Sequence, residues 1–208
     1  MTLAEKLTQG VTALGLHVPA DTRRKLLDYL ALIAKWNRIH NLTAVRESTK
    51  MVSAHLLDCL AVAPHLAAHT VLDVGSGAGL PGIPLALMWP QAGVTLLDSN
   101  QKKVAFLRQA VIELGLKNAE VVCGRVETWQ PPRPYDLVIS RAFSDLPEFL
   151  RLAGRLCAAQ GTLAAMKGVY PHDELAQLPR DFKLRDVVSL KVPGMNVERH
   201  LVLLTPQR

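Results

Sequence analysis

A ten-residue run, Asp73-Val74-Gly75-Ser76-Gly77-Ala78-Gly79-Leu80-Pro81-Gly82, constrains this chain more than any other segment. It continues the apolar pair Val71-Leu72, so a short buried strand spans Val71 to Val74 and ends in a glycine-rich turn. Four glycines within residues 75–82 weaken any regular element. They are tolerated where the backbone turns sharply or a ligand comes close to it. Such a turn, between a first strand and the helix after it, offers amide N–H groups to a ligand.

The downstream pattern repeats the unit. A helix follows through Leu85, Leu87 and Met88, and Val94 to Leu97 is the next strand, ending at Asp98. Lys102 to Leu114 reads as a helix with Val104, Leu107, Val111 and Leu114 on one face. Strands are predicted at 120–123, 136–140 and 161–166, with a helix over 146–157 between the last two. Strands alternating with helices of a dozen residues make a parallel sheet with helices on both faces. Two further strands, near 182–192 and 197–204, meet around Pro193-Gly194 with no helix between them, which predicts an antiparallel pair at one sheet edge. The expected whole is an α/β fold with a mostly parallel, seven-stranded sheet.

Residues 1–69 read differently, as a helical N-terminal extension packed on a core of residues 70–208. Asp21 is the expected N-cap of a helix carrying Leu26, Leu30 and Ile33. Asn37 to Thr43 ends it in a polar loop, and Ser48 is the expected cap of a second helix running to Pro64.

Composition narrows the class. With 208 residues, 49% of them hydrophobic and 20% charged, the chain can bury a substantial core. Its three cysteines are odd in number and never spaced C-x-x-C, which argues against a disulfide framework and for a reducing cytoplasm. No His, Cys or Asp cluster has metal-ligand spacing, so no metal site is expected. The most apolar stretch, Leu80 to Val94, is broken by Pro81, Pro84 and Pro90, and the N-terminus lacks a continuous apolar run. Neither a membrane span nor a signal peptide is therefore expected. The net charge of +6 is unevenly spread. Residues 1–69 hold 8 basic and 5 acidic side chains, residues 70–145 hold 7 and 7, and residues 146–208 hold 9 and 6. A neutral middle thus lies between two basic flanks.

Gly77 to Gly82 formally satisfies G-x-G-x-x-G, the dinucleotide fingerprint, but that match alone is weak. The strand ends at Val74, so the turn starts at Gly75 with G-x-G-x-G spacing, and an acid, Asp73, stands at the strand end. Asp73-x-Gly75-x-Gly77-x-Gly79, with Asp98 ending the second strand, resembles class I S-adenosylmethionine (SAM)-dependent methyltransferases, whose Rossmann-like fold is the one expected here. The resemblance implies that Asp98 accepts hydrogen bonds from ribose hydroxyls.

A wider series is more specific. Asn37-Arg38-Ile39-His40-Asn41-Leu42-Thr43, His55-Leu56-Leu57-Asp58-Cys59-Leu60, the glycine loop through Ile83-Pro84, and Leu97-Asp98-Ser99-x-x-Lys102-Lys103 occur in that order. Arg125-Val126-Glu127, Ser140-Arg141-Ala142-Phe143, Lys167-Gly168 and Glu198-Arg199-His200-Leu201 complete it. The series resembles the bacterial ribosomal RNA small-subunit methyltransferase G family, also called glucose-inhibited division protein B, over roughly residues 30–205. The resemblance implies methyl transfer from SAM, leaving S-adenosylhomocysteine, to N7 of a guanine (conventionally position 527) in the 530 loop of 16S rRNA. It places Asp73, Gly75, Gly77, Gly79 and Leu80 at the cofactor, Val126 and Glu127 at its adenine, and Arg141 at the mouth of the site. Val126 stands where the family usually has a small residue.

Guanine N7 carries an in-plane lone pair and no proton, so the chemistry asks for positioning rather than a general base. Arg141 then has a positioning role toward a carboxylate, a phosphate or the guanine O6 edge. The target base must be presented from a loop or turned out of its stack. Lys35, Arg38, His40, Arg46 and Lys50 on one flank, and Lys167, Arg199 and His200 on the other, are candidate RNA phosphate contacts. Trp36 reads as core rather than a stacking platform, His55 as a hydrogen-bonded helix histidine, Lys102-Lys103 as a solvated helix start, and Cys123 as a small buried strand residue. The expected partner is 16S rRNA, free, in an assembly intermediate or in the small subunit, met by a monomer in the cytoplasm. Three other readings stay open: a SAM enzyme acting on a small molecule or protein, an NAD-dependent oxidoreductase, and a non-enzymatic RNA-binding factor on a vestigial fold. The intact Gly75, Gly77, Gly79 and Asp98 count against the last.

Overall fold

Period-two alternation of apolar side chains organises the sheet. Leu137, Ile139, Ala164, Met166, Leu201 and Leu203 face one core, whereas Val138, Leu163, Ala165, Val202 and Leu204 face the other. Both faces are covered, so the strands read as continuous apolar runs. The computed structural model describes residues 1–143 and 145–207. Its seven strands are β1 (Thr70–Val74), β2 (Gly93–Asp98), β3 (Ala119–Cys123), β4 (Tyr135–Arg141), β5 (Cys157–Lys167), β6 (Phe182–Ser189) and β7 (His200–Pro206). They lie in the order β3-β2-β1-β4-β5-β7-β6. The first five pair in parallel, and β7 runs antiparallel between β5 and β6. The mostly parallel sheet with an antiparallel pair at one edge is the predicted one. The last two strands are shifted, ending at Ser189 and starting at His200, because Leu190–Arg199 forms the connecting loop.

Helices α1 (Leu3–Ala13) and α2 (Ala20–His40) open the chain. Next comes a helical run in three pieces: α3 (Ser48–Met51), a π turn (Val52–Leu57) and α4 (Asp58–Leu60). α5 (Gly82–Met88) and α6 (Gln101–Glu113) connect β1 to β2 and β2 to β3. α7 (Leu146–Ala153) covers the opposite face, and the short α8 (His172–Ala176) follows β5. Two expected caps move. Pro19, not Asp21, stands at the N-cap of α2, and Asp21 pairs with Arg24 and Lys25 in the first turn. Glu47, not Ser48, precedes α3. Helix α1 carries a reciprocal capping box, Thr2 with Glu5, a Thr-x-x-Glu signal present in the sequence. Asn41 ends α2 in the left-handed region (φ 49°), a conformation asparagine tolerates.

The N-terminal helices share one core with α5, α6 and the sheet. Leu7, Leu26, Tyr29, Leu30 and Ile33 lie in the same buried cluster as Val71, Ile83, Leu96 and Phe106. Trp36 packs edge-on against Phe106, centroids 5.6 Å apart, as the core reading expected. Tyr29, fully buried, donates its hydroxyl to the carbonyl of Ala78 in the glycine loop. Tyr29→Phe should therefore leave a buried carbonyl without its donor and lower unfolding stability by about 1–2 kcal/mol, read from urea titrations of both proteins.

Candidate functional site

The glycine loop is shaped by a small set of bonds. Gly75, Gly77 and Gly79 hold φ of 67°, 59° and 84°, where a side chain would be strained. The Gly75 and Ser76 amides both donate to Leu97 O, at 2.9 and 3.0 Å, tying the turn to β2. Gly82 donates to Asp73 Oδ2 at 3.0 Å, which closes the loop onto the strand it left. A Cβ at Gly82 would lie 2.3 Å from Leu96 Cδ2 and 2.7 Å from that carboxylate oxygen, so this glycine is needed for close packing. Leu80 is buried beneath the turn. Asp73 is fully buried, its Oδ1 has no hydrogen-bond partner among the described residues, and burial pushes its carboxyl up to about 7.

Asp98, at the end of β2, faces the same turn. Its Oδ2 accepts from Gly77 N at 2.8 Å and its Oδ1 from Asn100 N at 2.8 Å. Each oxygen keeps a lone pair for a hydroxyl donor. Val126 is buried in the turn after β3. Arg155, which the sequence reading did not single out, fixes that turn by donating Nη2 to Val126 O at 2.7 Å and Trp129 O at 2.6 Å. Glu127 is partly exposed and pairs with Arg125 at 3.1 Å. A glycine turn exposed at Gly75, a carboxylate with spare lone pairs, and a buried carboxyl oxygen lacking any donor among the described residues suit a ligand that carries hydroxyls and positive charge. SAM is such a ligand.

The other half of the site begins where the strand order reverses, between β1 and β4. Open α/β sheets bind ligands at that point. Ser140 Oγ donates to Val74 O at 2.7 Å, stitching the two strand ends together. Ala142 follows in the left-handed region (φ 58°), unusual for a residue with a Cβ. The turn brings Phe143 against the loop, 3.2 Å from where a Gly75 Cβ would be. Arg141, Phe143, Lys167 and Arg199 line a cleft of about 290 Å³ together with Asp58. Asp58 stood in the motif series without a role. It is buried, and accepts Arg141 Nη1 at 3.2 Å and Arg199 Nε at 3.1 Å. Lys167 pairs with Glu174 at 2.7 Å.

The remaining basic candidates separate. Lys35, Arg38 and Arg46 are exposed on α2 and the loop after it; His40 lies partly buried over Trp36, centroids 5.2 Å apart; Lys50 pairs with Glu47 at 2.8 Å. His200 departs from the expectation of a phosphate contact. It is 8% exposed, because β7 is an inner strand and Tyr170 stands edge-on to its ring. Cys123, expected buried, is exposed because β3 is an edge strand. His55 is a buried, hydrogen-bonded helix residue, its Nε2 2.9 Å from Thr43 Oγ1. Burial and the nearby Arg141 charge hold its imidazole below the usual range. The side chain of Asn37, also buried, accepts from Thr43 N at 2.9 Å. The Asn37-to-Thr43 series thus comprises the last turn of α2 and the loop after it, which seats His55 through Thr43.

Two stability predictions follow from the strained and buried groups. Ala142→Val places a β-branched residue in the left-handed region and should cost about 1–2 kcal/mol by denaturant unfolding, whereas Ala142→Gly should not. Folded protein keeps the Asp73 proton to about pH 7, while the unfolded chain releases it near 3.8. This group therefore makes stability fall as pH rises between those values. Asp73→Asn removes that slope, so melting curves across this window should shift in the variant's favour by on the order of 2–4 kcal/mol from the acid to the alkaline end.

The chain is similar to known proteins over most of its length. Residues 22–202 match the family model described as rRNA small subunit methyltransferase G. The chain is 56% identical over 204 residues to a protein of that name from Laribacter hongkongensis, covering 98% of this chain and 99% of the relative. It is 54% identical to one from Nitrosospira multiformis, covering 98% of each. Among solved structures, a SAM-dependent methyltransferase from Aquifex aeolicus superposes with a TM-score of 0.57 at 23% identity, over 72% of this chain and 90% of that one. The glycopeptide N-methyltransferase MtfA, complexed with S-adenosylhomocysteine, does so with a TM-score of 0.63 at 11% identity, over 73% and 87%. These structures share the class I methyltransferase fold. On the sequence match, which extends over most of the chain, this protein belongs to the rRNA small subunit methyltransferase G family.

Proposed function

We propose that this protein transfers the methyl group of SAM to N7 of guanine 527, in the 530 loop of 16S rRNA. One observation carries the reading beyond family membership: a cationic cleft opens beside the glycine loop, across the β1–β4 switch point. The loop and Asp98 suit a nucleoside with a charged side arm, and the cleft suits a polyanion. When bound, SAM supplies an electrophilic methyl on a positively charged sulfur.

In this reading the chain's own residues bind and orient. Gly75, Gly77, Gly79 and Leu80 let the cofactor approach the backbone, Asp98 receives ribose hydroxyls, and Val126 and Glu127 flank the adenine. Asp73 offers its partnerless oxygen within the cofactor half. No residue need remove a proton, since N7 has none. The lining of the cleft supports this, because its one carboxylate, Asp58, is already engaged by two arginines. Rate would then come from alignment of N7 with the methyl group and exclusion of water. Residues 1–69 act as an extension that steadies the loop through Tyr29, and residues 70–208 carry the cofactor. Lys35, Arg38, His40 and Arg46 extend the basic surface toward the RNA backbone. A single copy supplies every group named, which favours a monomer; in this proposal it meets 16S rRNA in the cytoplasm, free, in an assembly intermediate or in the small subunit.

The test uses tritiated SAM with intact small subunits, naked 16S rRNA and a 530-loop fragment, followed by strand cleavage specific for N7-methylguanine. Label at guanine 527 is expected; label absent from all three RNAs would defeat the proposal. Asp98→Ala should weaken SAM binding by about tenfold or more, by calorimetry, through loss of charge-assisted hydrogen bonds.

A further inference from the structure

Asp58 is 2% exposed, yet it binds two guanidinium groups from strands that are not neighbours. Arg141 closes β4, and Arg199 precedes β7. Each takes a separate oxygen of the same carboxylate, at 3.2 and 3.1 Å. The backbone before Asp58 adds a third acceptor. In an α-helix the Asp58 amide would bond Ala54 O, four residues back. Here the π turn redirects that amide to Ser53 O and His55 O, and Ala54 O accepts Arg141 Nη1 at 2.9 Å. Single π turns of this kind recur at functional sites.

Arg141 therefore spends one nitrogen, Nη1, on both structural acceptors. Among the described residues its Nε and Nη2 donate to nothing. Arg199 spends Nε on Asp58 and Nη1 on Glu198 O, at 2.9 Å, which leaves Nη2. Both side chains line the cleft. One carboxylate against two guanidinium groups leaves a single positive charge, with donors to spare. One phosphodiester monoanion matches that charge and accepts several N–H groups at once.

We propose that Asp58, set by the π turn, is a positioning residue: it holds Arg141 and Arg199 as a preformed seat for one phosphodiester of the RNA, flanking the nucleotide that is methylated. The inference rests on the proposed RNA substrate and adds a role for a carboxylate in binding a polyanion. Charge alone argues the other way, since a negative group beside the cleft repels RNA. Removing that charge should tighten RNA binding if its field is all that matters. It should weaken binding if Asp58 keeps the two arginines in place. The sign of the effect separates the two.

The experiment compares wild type, Asp58→Asn, Asp58→Glu and Arg199→Gln. Binding of a 530-loop RNA hairpin is measured with S-adenosylhomocysteine saturating, across a salt series, and SAM binding is measured separately by calorimetry. For Asp58→Asn we expect RNA affinity at least tenfold weaker, a shallower salt dependence by about one phosphate contact, and SAM affinity within twofold of wild type. Asp58→Glu should recover part of the loss. Arg199→Gln, whose side chain is partly solvent-exposed, supplies the same readout if Asp58→Asn does not fold: weaker RNA binding with SAM binding unchanged. RNA binding by Asp58→Asn that is equal or tighter overturns the inference. So does a loss confined to SAM, which would assign the seat to the cofactor's carboxylate. Failure of the wild type to methylate any RNA would instead fall on the proposed function.

Discussion

The hydrogen bond from the Gly82 amide to the buried Asp73 carboxylate joins the two ends of the glycine loop, and much of the molecule is arranged around that closure. It draws the start of α5 down onto β1, at a distance only a glycine permits. With the ends joined, the amides between them turn toward β2, where Leu97 O and Asp98 receive them. The acid that makes the bond is fully buried. Its second oxygen has no partner among the described residues, and burial raises its carboxyl from 3.8 to about 7. A buried carboxyl satisfied on one oxygen only lowers stability, so the closure of the loop is held at a cost.

The fold was legible because period-two apolar runs and twelve-residue helical repeats are local signals. Val71–Val74, Val94–Leu97 and Asp136–Ser140 each fall within observed strands. The glycine-loop half of the candidate site was legible too, since Gly75, Gly77, Gly79 and Asp98 lie within one β1-to-β2 unit, and close sequence spacing implies close space. The cleft half was less so. Asp58, Arg141 and Arg199 are separated by 83 and 141 positions in their pairings, and no periodicity links them. Arg141 stood out because it directly follows a buried strand, but its partner was one acid among several. Arg155 offered no signal, because its role depends on the path of a turn 29 residues earlier. His200 misled for a related reason: a basic residue beside Arg199 suggests a charged surface, but His200 opens an inner strand whose neighbours come from elsewhere in the chain.

The N-terminal helices show how far the support of the glycine loop reaches beyond its motif. Tyr29 bonds the middle of the glycine loop from α2, and Asn37, Thr43 and His55 build the turn that leads into the π segment. The π segment then delivers Ala54 O and Asp58 to Arg141. A continuous set of packed and hydrogen-bonded groups thus joins the glycine loop to the cleft on the helical side of the sheet.

Strand order has a temporal side. β7 follows β6 in the chain but lies between it and β5 in the sheet. During synthesis β6 is made without a neighbour to pair with, and it waits until His200–Pro206 emerges to fill the gap. Arg199, the residue just before that strand, arrives in the same step. The glycine loop, Asp98 and α6 are complete well before then. A nascent chain therefore has the glycine loop and Asp98 in hand early, while the cleft between Arg141 and Arg199 takes shape only as the final strand zips in. Asp58 gains its second guanidinium, that of Arg199, at this closing step.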